Sequence, residues 1–139
     1  MSLTETQTLF EAYPFDRLDG DAMAGLWHGA SGIADAKQGC GRLIWWPDEG
    51  LMRTNHRALC EVYRAAGYHR EHFEIESHVP MGAAHAFALL RWTLRRTDGS
   101  VLQQFRSGWQ LMRTADGSRV LLAAAHQEDP RAMRGDASH

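Results

Sequence analysis

The chain has 139 residues, 44% of them hydrophobic and 23% charged, a size and balance that fit a globular domain with a sizeable buried core and exclude a disordered one. Fifteen basic residues against seventeen acidic ones leave a formal charge of -2, which supplies no general field for gathering nucleic acid or an anionic membrane surface. Two cysteines, Cys40 and Cys60, with no CxxC pair exclude a disulfide scaffold and a thiol zinc site, and read as reduced thiols of a cytoplasmic protein.

Residues Met1 to Glu11 carry no basic region followed by an apolar run, so no signal peptide is expected. No stretch approaches the roughly 20 apolar residues that cross a bilayer. Leu9, Phe10 and Tyr13 fall at helical spacing, and Pro14 interrupts the segment. A second helix is predicted over Asp19 to Trp27, with Asp19 or Asp21 as its cap and Met23, Leu26 and Trp27 on one face. The run His28-Gly29-Ala30-Ser31-Gly32 ends it, and short strands follow over Ile33 to Ala36 and Arg42 to Trp46, separated by a loop through Gly39 and Gly41. Pro47-Asp48-Glu49-Gly50 turns into the longest helix, about Leu51 to Ala66, with an apolar stripe of Leu59, Val62, Tyr63 and Ala66 and with Gly67 where a left-handed cap is wanted.

From His69 to Gln127 the period changes to that of extended strands. Turn signals stand at Pro80-Met81-Gly82, Thr97-Asp98-Gly99-Ser100 and Ala115-Asp116-Gly117-Ser118, and the two Asp-Gly pairs are strong hairpin signals. No repeat, low-complexity segment or linker divides the chain. It reads as one domain over 1–139, with about 129–139 as a flexible tail.

Residues opposite each other in an antiparallel pair share a face. Centring one hairpin on Asp98-Gly99 sets Leu94 by Gln103, Trp92 by Phe105, Leu90 by Ser107 and Ala88 by Trp109. Centring the next on Asp116-Gly117 sets Leu111 by Leu122, Trp109 by Ala124 and Ser107 by His126, and the first turn adds Phe73, Ile75, Ser77 and Val79 to the same inner face. The other face carries Glu74, Glu76, His78, His85, Arg91, Thr93, Arg95, Gln104, Arg106 and Gln110 around an apolar centre of Phe87 and Leu89. A slip of one residue would exchange the two faces. The fold class is therefore α+β: a curved antiparallel sheet, forming a cone-like half-barrel around about three N-terminal helices.

The order of these elements, with Tyr13, Leu18-Asp19-Gly20-Asp21, Leu26-Trp27, Ile33-Ala34-Asp35, Val62-Tyr63, Ala88-Leu89-Leu90-Arg91-Trp92 and Trp109-Gln110-Leu111-Met112-Arg113, resembles the nuclear-transport-factor-2-like superfamily, in its SnoaL-like and ketosteroid-isomerase-like branch. The resemblance runs from about Leu9 to Glu128. It implies a cone whose open end admits a small hydrophobic ligand, a homodimer formed through the outer sheet face, and chemistry without a cofactor: isomerisation, cyclisation or dehydration. Non-catalytic binding or dimerisation modules share the fold, so the fold leaves function open.

Asp35 stands where the isomerase keeps its carboxylate base, and an apolar pocket wall would raise its pKa; the alternative is a solvated carboxylate beside Lys37. Tyr13 resembles the isomerase's enolate-binding tyrosine, but no acid occupies the inner positions of the middle strands, which speaks against steroid-type isomerisation. His126 is the second acid/base candidate, or else a core-edge histidine bonded to Ser107. The expected pocket lining is Trp27, Tyr63, Leu90, Trp92, Gln103, Phe105, Ser107 and Trp109, with Tyr13, Trp45 and Trp46 as further ring surface. The remaining histidines, His28, His56, His69, His72, His78, His85 and His139, contain no helical ligand pair. His78 opposing His85 lacks a third ligand, so no metal is expected. Basic and aromatic residues alternate at Arg91-Trp92 and so take opposite faces, giving no platform for nucleic acid.

Overall fold

The computed structural model describes residues 1–126, apart from the side chains of Asp16 and His126. The expected tail lies outside the described residues. Helix α1 spans Leu3–Glu11 behind a capping box in which Ser2 and Glu5 satisfy each other's backbone N–H groups. A 3-10 turn, Pro14–Arg17, and a short helix α2, Gly20–Ala24, follow. Strands β1, Trp27–Lys37, and β2, Cys40–Trp46, form a hairpin. Helix α3 spans Glu49–Ala65, capped by Asp48, whose side chain accepts from the Leu51 N–H. Gly67 takes φ +86° just beyond it, as the sequence requires. Strands β3, Tyr68–Met81, β4, His85–Arg96, β5, Val101–Thr114, and β6, Gly117–His126, then run as an antiparallel meander.

The six strands make one curved sheet in the order β2-β1-β6-β5-β4-β3. The α+β class and the wrapped arrangement stand as read from the sequence, with one addition: β1 and β6 pair in parallel. The second helix is shorter than expected, and Trp27 begins β1 instead of ending α2. The glycines taken as a helix stop lie inside the strand. Gly32 sits there because β2 and β6 crowd it: a Cβ would meet the Ile44 carbonyl oxygen at 2.8 Å and the Trp45 ring at 2.8 Å.

The β4–β5 register matches the expected one at Leu94–Gln103, Trp92–Phe105, Leu90–Ser107 and Ala88–Trp109. Two other registers do not match. In β3 an irregularity between Ile75 and Ser77 leaves Phe73 and Ile75 opposite inner residues but turns Ser77 and Val79 toward Leu89 and Phe87 on the outer face. The turn closes at Met81–His85, which sets His78 opposite Ala88, so the expected pair of facing histidines does not form. His78 bonds Thr6 on α1 instead, 3.0 Å away. In β6 the turn closes at Thr114–Gly117, and the register brings Ala123 to Trp109 and Ala125 to Ser107.

Inside the sheet, Phe10, Tyr13 and Phe15 from the N-terminal segment pack against Phe73, Trp92 and Trp109, with ring centroids 5.0 to 6.5 Å apart. These tilted and edge-on rings pack the interior of the half-barrel, and Tyr13, Phe15, Trp92 and Trp109 are also exposed to a cavity within it.

Candidate functional site

A cavity of about 360 Å³ lies between α3 and the inner faces of β1, β2, β5 and β6, walled mostly by rings and aliphatic side chains. Trp27, Tyr63, Trp92, Phe105, Ser107 and Trp109 line it as expected from sequence; Leu90 and Gln103 are buried in the sheet but are not part of its wall. Trp46 also contributes, its ring 6.2 Å from that of Trp27. Trp45 does not: strand alternation turns it outward, 52% exposed.

Three indole N–H groups in this wall have their acceptors inside it. Trp27 Nε1 donates to Tyr13 Oη at 2.9 Å, while Trp92 Nε1 and Trp109 Nε1 both donate to Ser107 Oγ, at 2.8 Å and 2.6 Å. Burial pushes the Tyr13 phenol above its ordinary range, so it keeps its proton.

Asp35 lines the cavity at its solvent-exposed rim, where Arg42 of β2 grips it through two hydrogen bonds of 2.8 Å and 2.7 Å. This overturns the expected electrostatics. The Arg42 hydrogen bonds outweigh desolvation and hold the carboxyl below its ordinary value instead of raising it. The reason is register: β1 and β2 set Asp35 directly opposite Arg42. His126 stands opposite Arg106, not Ser107, on the strand position of the outer face; its side chain lies outside the described residues.

The structure also places an imidazole inside, that of His56 on α3. It is 1% exposed, lines the cavity, and stacks edge-on against Trp27 at 4.7 Å. Its Nδ1 lies 2.9 Å from the Met52 carbonyl oxygen. A carbonyl only accepts, so Nδ1 carries the proton and Nε2 is a bare lone pair. That Nε2 is buried with no partner among the described residues. Burial, aided by the positive charge of Arg53, lowers the pKa of the ring and keeps it neutral. The spacing Met52, His56, Cys60, Tyr63, all buried, is the signal that marks His56 as an inward residue; the stripe Leu59, Val62, Tyr63 and Ala66 covers only the end of the helix and passes over it. Among the described residues no group of three His, Cys, Asp or Glu stands ready to hold a metal ion, and no helix is long and apolar enough to cross a membrane.

The family model described as NTF2-like protein (DUF6841) matches residues 5–128. No curated protein matches the chain. Among solved structures, a ketosteroid isomerase-like protein from Erwinia carotovora atroseptica superposes with a TM-score of 0.64 at 15% identity, over 92% of this chain and 97% of that one. An NTF-2 like protein of unknown function from Shewanella oneidensis does so at 0.67 and 13%, over 90% and 98%. A protein of the NTF2-like family from Streptomyces avermitilis, provisionally assigned as a dehydratase, gives 0.60 and 13%, over 88% and 93%. At these identities the likeness carries the fold alone.

Proposed function

The chain belongs to the family of NTF2-like proteins, and on that footing we propose that it is a cofactor-independent enzyme of proton transfer: an isomerase, cyclase or dehydratase acting on a small hydrophobic molecule of the kind SnoaL-like proteins take. The observation that carries this reading is the buried, unpartnered Nε2 of His56 in a ring-lined cavity. A neutral imidazole with a free lone pair takes a proton from a substrate carbon or hydroxyl and returns it elsewhere. The Tyr13 hydroxyl, bonded to Trp27 and still protonated, is suited to donate to an oxygen on which negative charge builds. Asp35 takes the role of a rim carboxylate held by Arg42 rather than that of the base, and His126, opposite Arg106 on β5, has no part in this reading. The isomerase-like and dehydratase names of two structural neighbours agree with proton-transfer chemistry.

The test uses β-tetralone, an apolar bicyclic ketone, in deuterium oxide. The protein is expected to speed exchange of its α-hydrogens, and His56→Gln to lose about a hundredfold of that acceleration, the scale of general base catalysis. If the ketone binds but exchanges at the buffer rate, the enzyme reading falls. A second reading, a non-catalytic ligand-binding module, then takes its place; the observation in its favour is that the cavity's carboxylate is already neutralised by Arg42.

The outer sheet face is proposed as the surface of a homodimer. Phe87 and Leu89 on β4 are half-buried there, Gly108 on β5 lies under the Phe87 ring, and Leu43 and Trp45 extend the apolar surface to the β2 edge.

A further inference from the structure

Hydrogen bonding inside the cavity gives each polar atom a direction. An indole N–H only donates, and a hydroxyl has one proton to give and two lone pairs to receive. Ser107 Oγ already accepts from two indoles, Trp92 and Trp109; what it still offers is its proton. Tyr13 Oη accepts from Trp27, and its own proton is likewise left to give. His56 is the reverse case, since Nδ1 is committed to the Met52 carbonyl and Nε2 has only a lone pair. The two hydroxyls adjoin Trp109, whose ring is 5.7 Å from that of Tyr13 and whose N–H binds Ser107, while His56 lies against Trp27, 5.9 Å from Trp109. Trp27 also binds Tyr13 Oη, so the donors and the acceptor belong to one ring-lined wall.

We infer that the molecule this cavity takes is uncharged, compact and apolar, with a hydrogen-bond acceptor such as a carbonyl oxygen for the Ser107 and Tyr13 hydroxyls and a hydrogen-bond donor such as a hydroxyl for His56 Nε2. This deepens, and rests on, the reading of the cavity as a ligand site. Its neutrality follows from the wall. Among the described residues Asp35 is the one lining residue that carries a formal charge, and it lies at the rim paired with Arg42 at 2.7 Å. An ion lodged deeper would face rings and hydroxyls with no counter-charge, at a large desolvation cost. A molecule lacking the donor would leave Nε2 buried and unsatisfied, and one lacking the acceptor would leave two hydroxyl protons so.

The test is a set of naphthalenes titrated into the full chain, followed by the indole N–H signals in NMR: the parent, naphthol, the acetyl derivative, the derivative bearing both groups, and naphthoate. Each polar group is expected to tighten binding by about fivefold, the scale of one net hydrogen bond, with the doubly substituted compound tightest and naphthoate weaker than the acetyl compound. In His56→Leu the gain from the hydroxyl should vanish while the gain from the acetyl group stays. Parent and doubly substituted compounds binding alike, a hydroxyl gain that survives His56→Leu, or naphthoate matching the acetyl compound each overturn the inference while leaving a ligand cavity. If no member binds, not even the parent, the cavity reading itself falls and takes this inference with it.

Discussion

Protonating His56 in the folded chain would put a charge among the rings of Trp27 and Trp46, with Arg53 nearby adding repulsion, and the fold therefore lowers the ring's pKa from its ordinary 6.5. Above that value neither the folded nor the unfolded state holds the proton. As the pH falls through it, the unfolded chain gains a proton that the folded chain refuses, so stability declines on acidification until the folded-state pKa is reached. Scanning calorimetry between about pH 7 and about pH 5 should show the melting temperature dropping more in the wild type than in His56→Leu, because this window lies in the range where histidine titrates. Equal slopes would mean that the ring is not buried neutral. Glu5 works in a separate window. The hydrogen-bonded ion pair with Arg113 lowers its pKa from 4.5 to about 2, so its contribution is present above 4.5 and is lost only below. Tyr63, on the same helix, and Asp35, across the cavity, are the other titratable groups of the wall besides Tyr13.

At the scale of elements, α3 is what brings His56 to the cavity, and its start depends on Asp48. The Asp48 Oδ1 accepts the Leu51 N–H at 3.0 Å, meeting one of the donors that every helix start leaves open. Asp48→Ala should cost about 1 kcal/mol in denaturant unfolding, with the Nε2-dependent gain of naphthol over naphthalene kept once the chain is folded. A loss under a few tenths would show that the cap is dispensable. The hairpin β4–β5 was legible from Leu94 to Ala88, where the register runs unbroken; nearer the turn Arg95 pairs with Val101, and a shift between Leu94 and Arg95 restores the pairing expected from Asp98-Gly99. The neighbouring pairs were not, because their turns close elsewhere than the sequence signals suggest, at Met81–His85 and Thr114–Gly117, and an irregularity further along each pair, between Ile75 and Ser77 and between Gln110 and Leu111, shifts the register again. Such irregularities answer to the curvature of the whole sheet.

At the scale of the whole molecule, the outer face is the surface left without a covering layer. Leu43 is 63% exposed and Trp45 52%, and exposed apolar side chains of this size are what the proposed dimer would cover. Light scattering should give a mass about twice the 15.6 kDa of one chain, and Leu89→Glu should return it to one chain by burying a charge in the interface. A wild-type mass near 15.6 kDa would end the dimer proposal.

The fold class, the order of elements, the aromatic wall and the inward positions of Trp92, Phe105, Ser107 and Trp109 followed from the sequence, because alternation and turn chemistry are local properties of the chain. The parallel pairing of β1 with β6, the capture of Asp35 by Arg42, the placement of His126 opposite Arg106 and the burial of His56 were decided only by the tertiary structure. Each depends on which distant strands meet and in what register. Burial and the neighbouring charge then set the chemistry of each carboxylate and imidazole, whatever its place in the sequence suggested.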